Sequence, residues 1–270
     1  LDRGCPYSCS YCCNDFWHKF YENRNYRRKD LERFIEEVRT MKENHDLNYV
    51  YLASETFLAS PQERFDRFIE LWKSEIGIPF WVQTRPETIT EYKVKRLKEV
   101  GVHSIGVGVE SGSPEMRKRL NRIMTNDQII NAFEILNRYG LRTGINVIIG
   151  FPEETREQIF ETIDLVRQLN ASNIMTHVFN PYRGTPLYDY CVEKGFISQE
   201  EAGGDYRQDY VMNNPNISKE QVLGLQRTFA LYARLPRERW PEIQVAEKSD
   251  DQGNRKFEQL KKEYPEKFLV

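Results

Sequence analysis

The residues best suited to chemistry are three closely spaced cysteines near the start of the chain, Cys5, Cys9 and Cys12. Their spacings of four and three residues place three thiolates on one short loop. A closed zinc site, or an iron–sulfur cluster held only by cysteines, needs four protein ligands. Three thiolates therefore suit a [4Fe–4S] cluster whose fourth iron is left open for a further ligand.

Two other interpretations of these cysteines stay open from the residues alone. A zinc ion could take a fourth ligand from Cys13 or His18. Cys12 and Cys13 are adjacent and point in different directions, so a four-thiolate cage would be strained, and we interpret Cys13 as a bystander. Disulfides are the second alternative, but the five cysteines are an odd number and no signal peptide precedes them.

Length and composition favour one large α/β domain. A chain of 270 residues can bury a single large core. The 39 basic residues nearly balance the 41 acidic ones, which argues against a dedicated nucleic-acid binder. No run of about 18 apolar residues occurs, so we expect no membrane span. We expect a cytoplasmic protein, because thiols stay reduced in that compartment.

Apolar, β-rich segments alternate with helical segments along the chain. Helix starts are predicted at Ser60, Thr88, Thr125 and Thr155, each followed three residues later by Glu or Gln. Gly101 and Gly140 lie where helices should end, and both precede strand-like runs. This alternation predicts a buried parallel sheet with helices outside. The five strand-like runs are 49–53, 80–84, 103–109, 144–149 and 172–179.

The number of strands predicts an open barrel rather than a closed one. Cys5 follows the start of the chain with no room for a strand before it, although a loop that holds a cluster normally hangs from a buried strand. We therefore expect one further strand upstream of Leu1, which makes six. The predicted fold class is α/β, a partial (β/α)6 TIM-like barrel over 1–197 with a truncated first strand. Residues 198–270, with a capped helix at Ser218, are predicted to form a mainly helical extension.

Polar residues and glycines follow the predicted strands at the points where ligands bind in parallel α/β folds, the carboxyl ends of the strands. A capped turn is the alternative role for the residues after the first of these strands. An ion pair with Glu110 at the rim of the barrel is the alternative role for Arg85. The strand-end candidates are Ser54, Glu55, Thr56, Gln83, Arg85, Glu110, Ser111, Gly150 and Asn180.

The cysteine loop resembles that of the radical S-adenosylmethionine (radical SAM) superfamily, including the aromatic Tyr11 just before the last cysteine. The phrases Gly-Val-Glu-Ser-Gly-Ser, Ile-Gly-Phe-Pro-Glu-Glu-Thr and Gly-Thr-Pro-Leu-Tyr are most similar to radical SAM domains that accompany a cobalamin-binding domain. The resemblance runs from about Arg3 to about Gly195. It agrees with the predicted partial barrel, which is the fold of radical SAM cores.

The resemblance implies two cofactors and a radical reaction. Cys5, Cys9 and Cys12 would hold a [4Fe–4S] cluster, and S-adenosylmethionine would occupy its fourth iron. Reduction by a flavodoxin- or ferredoxin-like electron donor would cleave S-adenosylmethionine to a 5′-deoxyadenosyl radical, which acts on a small-molecule substrate. The implied S-adenosylmethionine contacts are Tyr11, Ser54, Glu55, Thr56, Gln83, Arg85, Glu110, Ser111, Ile148, Gly150, Phe151, Asn180 and Pro181.

The outcome of that reaction is predicted less specifically. Cobalamin-dependent relatives point to methylation or rearrangement of an unactivated carbon, with cobalamin held by an upstream domain. None of the four histidines lies in a D-x-H-x-x-G run, the cobalamin-ligand signature, so this chain cannot supply that site. The alternatives are a radical SAM tRNA-modifying transferase and a non-catalytic three-cysteine metal-binding module. A basic segment would favour the transferase, and it contains Arg24, Arg27, Arg28 and Lys29.

Three remaining candidates are predicted to be structural. Cys191 lies at helical spacing and is interpreted as a buried thiol without a catalytic part. His103 and His177 lie in predicted strands and are interpreted as hydrogen-bonded barrel residues.

Overall fold

The computed structural model describes residues 1–198 and 210–263. Its main sheet contains five parallel strands, and hydrogen-bonded neighbours follow one another in chain order. In the register of the sheet, Tyr51 lies opposite Trp81 and Thr84 lies opposite Val107. The five predicted strands are all present, although the first is only two residues long. They are β3 (Val50–Tyr51), β4 (Phe80–Thr84), β5 (Val102–Glu110), β6 (Arg142–Ile149) and β7 (Asn173–Val178).

The two faces of these strands differ in burial. Val82, Val147 and Ile149 are completely buried, whereas their neighbours Gln83 and Ile148 are only half-buried. Successive side chains of a strand point to opposite faces, so one face is covered by helices and the other stays accessible. This is the α/β arrangement of a partial TIM-like barrel. The accessible face is where a bound ligand would meet strand side chains.

Helices follow the strands as the alternation predicts. Gly101 and Gly140 have φ values of +77° and +62°, and each lies just after a helix, as predicted. The helices of this part of the chain are α1 (Cys13–Phe20), α2 (Leu31–His45), α3 (Gln62–Leu71), α4 (Glu91–Glu99), α5 (Pro114–Arg119), α6 (Asn126–Arg138), α7 (Arg156–Gln168) and α8 (Pro186–Glu193).

Two predicted capping boxes are present. The Thr155 side chain accepts a hydrogen bond from the Gln158 N–H, and the Gln158 side chain accepts one from the Thr155 N–H. Ser218 and Gln221 exchange the same pair of bonds. The predicted start near Thr125 is also confirmed, because α6 begins at the next residue.

Two other predicted helix starts are wrong by one or two residues. Ser60 follows a short 3₁₀ helix over Phe57–Ala59, and α3 begins only after Pro61 without a side-chain cap. Thr88 ends another 3₁₀ helix, and its hydroxyl donates to the Arg85 carbonyl at 2.7 Å. Thr90 is the residue that caps α4. In both places a 3₁₀ turn occupies the residue that the spacing suggested as the cap.

The cysteine loop is attached to a short strand that the sequence did not predict. The strand β1 (Asp2–Arg3) pairs antiparallel with β2 (Arg27–Arg28), which corrects the expectation that no strand precedes Cys5. Gly4 then turns the chain with φ +76°, and a Cβ atom there would lie 2.6 Å from the Asn25 carbonyl oxygen. Only glycine fits this turn without displacing the backbone.

The described part of the C-terminal region is helical, as predicted. It contains α9 (Lys219–Arg234), α10 (Trp240–Ala246) and α11 (Asp251–Lys262), and α11 packs against α10. Of the predicted extension 198–270, residues 199–209 and 264–270 lie outside the described residues. Searching the described helices for a long apolar segment finds none that could cross a membrane.

The chain divides into two compact units, and the site is therefore described in two halves. The first unit contains Leu1–Ser8, Asn14–Gly108 and Asp127–Gly144. The second contains Cys9–Cys13, Val109–Asn126 and Ile145–Val270. The described C-terminal helices thus belong to the same unit as the last strands. The predicted division into 1–197 and 198–270 stays a prediction.

Candidate functional site

In the first unit, the first cysteine contacts a predicted site residue. Cys5 is buried, and its Sγ lies 3.5 Å from the Oγ1 of buried Thr56. A hydroxyl at this distance can donate to a thiolate. Ser54, two residues earlier, donates from its Oγ to the Asp2 Oδ2 at 2.9 Å. The loop after β3 is therefore tied to the residues on either side of Gly4.

Glu55 lies in the same loop, and its side chain stays exposed. The surrounding atoms still desolvate its carboxyl group, which raises its pKa above the ordinary value. A carboxyl group in such a place is accessible to a ligand. A cationic group on that ligand would stabilise its charged form. This is consistent with the predicted binding role of Glu55.

At the end of β4, Arg85 holds a residue of the cysteine loop. Its guanidinium lies over the Tyr7 ring, 3.9 Å from the centroid, and pairs with Glu87 at 2.6 Å. A cation over an aromatic face is an attractive contact, and burial strengthens it. Tyr7 was not predicted, because only its position between Cys5 and Cys9 hinted at a role. Gln83 lies on the accessible face of β4.

In the second unit, a buried arginine meets the second cysteine. Arg122 is only 3% exposed, and its Nη1 lies 3.9 Å from the Cys9 Sγ and 3.5 Å from the Tyr11 hydroxyl oxygen. The same nitrogen lies 3.9 Å from the Glu110 Oε1. The structure thus brings together three predicted residues around one arginine that the sequence did not predict. The chain turns back at Asn121, with φ +55°, to place it there.

Tyr11 is a neutral phenol in this group. Burial raises its pKa well above the ordinary value, and the negative charge of Glu110 adds to the effect. Its ring also meets the edge of Phe151, with centroids 5.9 Å apart. Tyr11 therefore connects the charged group around Arg122 to an apolar wall.

Glu110 has an unusual backbone conformation at the end of β5. Its φ of +65° lies in the left-handed region, which residues other than glycine adopt only at a cost in free energy. The following residues are held firmly. The Ser111 carbonyl accepts from Arg117 at 2.8 Å, and the Gly112 N–H donates to the Thr162 hydroxyl at 2.8 Å. A Cβ atom on Gly112 would lie 2.5 Å from the Thr162 Cα, so only glycine allows this approach to α7.

Arg117 links the two charged residues Glu110 and Arg122. It is 1% exposed, and besides the Ser111 carbonyl it donates to the Met124 carbonyl at 3.0 Å. The Arg122 N–H in turn donates to the Arg117 carbonyl at 2.9 Å. Burial lowers the pKa of Arg117, and the nearby Arg122 lowers it further. This costly buried cation is therefore a positioning residue, and no sequence signal marked it.

The turn after β6 is held by a glutamate that was also not predicted. The Glu154 Oε2 accepts from the Gly150 N–H at 2.6 Å and from the Phe151 N–H at 3.1 Å. Tyr210 donates to the Gly150 carbonyl at 2.9 Å, and Asn214 donates to the Phe151 carbonyl at 2.9 Å. All the backbone polar groups of Gly150 and Phe151 are thus bonded within the chain. Burial raises the pKa of Glu154 to about 8.

The predicted residues of β6 and β7 form an apolar wall. The Phe179 N–H donates to the Ile149 carbonyl at 2.8 Å, which aligns the ends of the two strands. The rings of Phe151 and Phe179 lie 5.2 Å apart. Both rings are almost completely buried, at 0% and 2% exposure, so they form the inner side of this wall. Ile148 is half-buried on the accessible face, and Asn180 and Pro181 are buried just beyond β7.

Ser10 anchors the cysteine loop on both sides. Its hydroxyl donates to the Arg119 carbonyl at 2.8 Å, and its N–H donates to the Leu120 carbonyl at 3.2 Å. Its own carbonyl accepts from the Leu187 N–H at 3.0 Å. The Cys12 N–H donates to the Cys9 carbonyl at 3.0 Å and closes the turn. The loop is therefore fixed to the end of α5 and the start of α8.

The donors available in the loop have the chemistry of metal-binding thiolates. The five cysteines all lie in the described residues, and all are free thiols. Cys5 and Cys9 are buried beside groups that can donate to sulfur, Cys12 is half-buried, and Cys13 is exposed. Within 1–198 and 210–263, no three Cys, His, Asp or Glu side chains are grouped closely enough to hold a metal ion. The fit to a cluster therefore rests on the donor types and their neighbours.

The other cysteine and the candidate histidine have structural surroundings. Cys191 is completely buried, and burial raises its pKa to about 12, as expected for a structural thiol. His103 is exposed on β5, where its Nδ1 lies 3.3 Å from the Tyr49 hydroxyl oxygen. Neither side chain contributes to the contacts described above.

The basic segment is partly neutralised by local ion pairs. Arg24 pairs with Glu22 at 2.9 Å, and Lys29 pairs with Glu37. Arg28 lies over the Tyr26 ring, 5.0 Å from its centroid. These contacts within the segment do not favour its predicted use as an RNA-binding face.

Comparison with known proteins identifies the same family that the cysteine loop resembles. The family model described as "Radical SAM superfamily" matches residues 2–166. A protein named "Uncharacterized methyltransferase PH0819" from Pyrococcus horikoshii is 27% identical over 225 residues, which are 83% of this chain and 48% of that protein. The anaerobic magnesium-protoporphyrin IX monomethyl ester cyclase of Rubrivivax gelatinosus is 25% identical over 195 residues, 71% of this chain and 34% of that one. The chain thus spans between about a third and a half of these relatives.

Solved structures of similar fold include two with bound cobalamin. OxsB, described as a cobalamin-dependent S-adenosylmethionine radical enzyme, has a TM-score of 0.65 at 16% identity over 99% of this chain and 45% of its own. The radical S-adenosylmethionine methyltransferase TsrM from Kitasatospora setae has a TM-score of 0.58 at 17% identity, over 72% of this chain and 36% of its own. At these identities the likeness shows the fold alone. Because the family model matches more than half of the sequence, the chain belongs to the radical SAM superfamily.

Proposed function

We propose that this chain is the cofactor-binding core of a radical SAM enzyme, with Cys5, Cys9 and Cys12 as the ligands of a [4Fe–4S] cluster. The observation that carries the proposal is the placement of Cys9 beside buried Arg122, within the region that the family model matches. When bound, the cluster and S-adenosylmethionine supply one-electron cleavage of a sulfonium carbon–sulfur bond. The chain's own residues bind, orient and shield the cofactor.

The described residues offer partners for each part of S-adenosylmethionine. Its amino-acid end carries an ammonium and a carboxylate, for which Glu110 and Arg122 in the second unit provide opposite charges. Glu55 provides another carboxyl group in the first unit. For the adenine ring, the proposed apolar residues are Ile148, which is half-buried on the accessible face, and the buried Phe151 behind it in the chain. The remaining proposed contacts are Tyr11, Ser54, Thr56, Gln83, Arg85, Ser111, Gly150, Asn180 and Pro181.

For the overall reaction, we propose methylation or rearrangement of an unactivated carbon of a small molecule. The methyltransferase name of the Pyrococcus horikoshii relative supports methyl transfer, and the cobalamin bound in the OxsB and TsrM structures supports a cobalamin partner. In this proposal cobalamin comes from outside residues 1–270. The electron comes from a low-potential one-electron donor of the flavodoxin or ferredoxin class.

The first step is tested with the chain itself. The protein is reconstituted anaerobically with iron and sulfide, reduced with dithionite, and assayed with S-adenosylmethionine for 5′-deoxyadenosine. We compare Cys9→Ala with Cys13→Ala, because the two cysteines lie in one loop and only Cys9 is a proposed ligand. We expect product from the wild type and Cys13→Ala and at least a hundredfold less from Cys9→Ala. A wild type that holds a full cluster and forms no product contradicts the proposal, as does tightly bound zinc in place of iron.

Methyl transfer is tested with S-adenosylmethionine labelled as CD₃ at its methyl group. The reduced protein is incubated with added cobalamin and a metabolite extract, and compounds that gain the label are identified by mass spectrometry. A labelled small molecule that depends on Cys9 supports methylation. Formation of 5′-deoxyadenosine without any labelled compound supports rearrangement.

A tRNA-modifying transferase is the competing proposal. It is kept because a tRNA-2-methylthio-N(6)-dimethylallyladenosine synthase of Anoxybacillus flavithermus is 26% identical over 193 residues, 68% of this chain and 36% of its own length. The ion pairs of Arg24 and Lys29 weigh against it. Appearance of the label in RNA rather than in a small molecule would favour the transferase.

A further inference from the structure

One nitrogen of Arg122 is shared between a thiol, a phenol and a carboxylate. Its Nη1 lies 3.9 Å from the Cys9 Sγ, 3.5 Å from the Tyr11 hydroxyl oxygen and 3.9 Å from the Glu110 Oε1. Binding of S-adenosylmethionine accounts for a cation and a carboxylate at this place. It does not account for a guanidinium that points at the sulfur of a proposed cluster ligand.

We propose that Arg122 and Glu110 set the reduction potential of the cluster in opposite directions, Arg122 raising it and Glu110 lowering it. This inference rests on the proposed function, since it takes Cys9 to be a cluster ligand. The one-electron step is the reduction of [4Fe–4S]²⁺ to [4Fe–4S]¹⁺ by a low-potential donor. No other bond is made or broken in it.

The sign follows from the charge that reduction adds. A cation beside the Cys9 thiolate stabilises the added negative charge, and an N–H donated to the sulfur acts in the same direction. A carboxylate nearby repels the added charge. Both side chains are largely removed from water, with 3% and 13% of their side-chain surface exposed, so solvent screens them little.

The surrounding structure holds this arrangement in place. Arg117 binds the Ser111 carbonyl next to Glu110 and the Met124 carbonyl beyond Arg122, so the positions of both charges depend on one buried side chain. Arg122 itself lies in the second unit with Cys9, Tyr11 and Glu110. The effect therefore involves only contacts within that unit.

Arg119 provides a matched control on the same stretch of chain. Its guanidinium pairs with Glu153 at 2.7 Å and is 29% exposed, and it lies 5.7 Å from the centroid of the Tyr190 ring. Among the described residues, its side-chain contacts include neither Cys9 nor Tyr11. Replacing Arg119 removes a positive charge three residues from Arg122 without removing the contact with sulfur.

The test is a redox titration of the reconstituted protein, followed by the electron paramagnetic resonance signal of the reduced cluster. It is carried out without S-adenosylmethionine. Under this condition, a residue that only binds S-adenosylmethionine would leave the reduction potential of the cluster unchanged. The variants are Arg122→Gln, Arg122→Lys, Glu110→Gln and the control Arg119→Gln. Iron and sulfide content are measured for each protein, so that only proteins with a full cluster are compared.

We expect opposite shifts for the two residues. At the wild-type midpoint, Arg122→Gln should lower the ratio of reduced to oxidised cluster about tenfold, which corresponds to about 59 mV for one electron. Glu110→Gln should raise that ratio severalfold. Arg122→Lys keeps a positive charge and should stay within about threefold of the wild type, and Arg119→Gln should not shift the ratio.

Shifts of the same sign for Arg122→Gln and Glu110→Gln, or no shift in either, would overturn the inference. An equal shift in Arg119→Gln would also overturn it, because it would show a general charge effect. If Arg122→Gln does not retain its cluster, Glu110→Gln still decides the sign, and a fall in the potential or no shift in that variant overturns the inference. A wild type that assembles no [4Fe–4S] cluster refutes the proposed function itself, and that outcome is recognised before any variant is measured.

Discussion

Glu154 shows how one buried side chain can fix the shape of a turn that contains two proposed contact residues. One carboxylate oxygen accepts two backbone N–H groups, and the other is buried without a hydrogen-bond partner among the described residues. Burial raises the pKa of this carboxyl group from 4.5 to about 8. The group is therefore protonated in the folded protein at neutral pH, although it is ionised in the unfolded chain.

This difference predicts a pH dependence of stability. Between about pH 4.5 and pH 8 the folded state holds a proton at Glu154 that the unfolded state has released. The contribution of Glu154 to the free energy of unfolding should therefore fall as pH rises through this window, by up to about 1.4 kcal/mol per pH unit. Glu154→Gln cannot ionise and should lack this fall. Urea unfolding of both proteins at several pH values measures the difference, and parallel pH profiles would contradict the expectation.

Sequence patterns revealed some functional residues and could not reveal others. The spacing of Cys5, Cys9 and Cys12 is visible because all three lie on one local loop. Arg122 lies beside Cys9 because of where α5 ends and where the chain turns back. The spacing of residues in the sequence does not indicate either position. Likewise, only the fold distinguishes Glu154, which faces inward, from Glu153, which has φ +60° and pairs with Arg119.

At the scale of secondary structure, strands were easier to predict than helix starts. Strands β4 to β7 contain five to nine residues each, and burial of one face forces β4, β5 and β6 into the sheet. The caps at Thr155 and Ser218 were found because each forms a complete reciprocal box. Ser60 and Thr88 have the same spacing, yet 3₁₀ turns stabilised by nearby tertiary contacts displace the helix start. Local spacing cannot distinguish these two outcomes.

The link between β1 and the cysteine loop gives a prediction about Gly4. Gly4 and Gly77 have similar φ values of +76° and +65°, but only at Gly4 would a Cβ atom meet another backbone atom. Gly77→Ala should therefore lower the free energy of unfolding by about 1–2 kcal/mol, the cost of the left-handed conformation. Gly4→Ala should cost a further amount of about 1–3 kcal/mol because of the overlap with the Asn25 carbonyl.

Chemical denaturation of the two alanine variants and the wild type measures this difference. Because both substitutions add one methyl group at a positive φ, the comparison isolates the steric contact. Equal losses of stability in the two variants would show that the chain around Gly4 can move to accept a side chain.

At the scale of the whole molecule, the family and the fold are better defined than the reaction. The family match covers residues 2–166, whereas the relatives extend well beyond the region that this chain matches. The barrel and its strand ends could be predicted because they follow from periodicity and topology. The substrate could not, since it is recognised by residues that vary independently of the fold.

We predict that residues 1–270 hold a cluster and do not hold cobalamin. None of the four histidines lies in the D-x-H-x-x-G signature. After incubation with excess hydroxocobalamin and gel filtration, we expect less than about a tenth of a cobalt atom per chain by elemental analysis. The iron content of the same sample serves as the internal control. Stoichiometric cobalt would contradict the expectation.

The hydrogen bonds around Gly150 and Phe151 have a consequence for how a ligand associates. Every backbone polar group of this turn is already bonded to Glu154, Tyr210, Asn214 or a neighbouring backbone atom. The turn is itself buried, so a ligand that binds beside it meets a backbone with little conformational freedom left to lose. Association there should have a small entropic cost of ordering the chain and should not wait for a slow rearrangement of the turn.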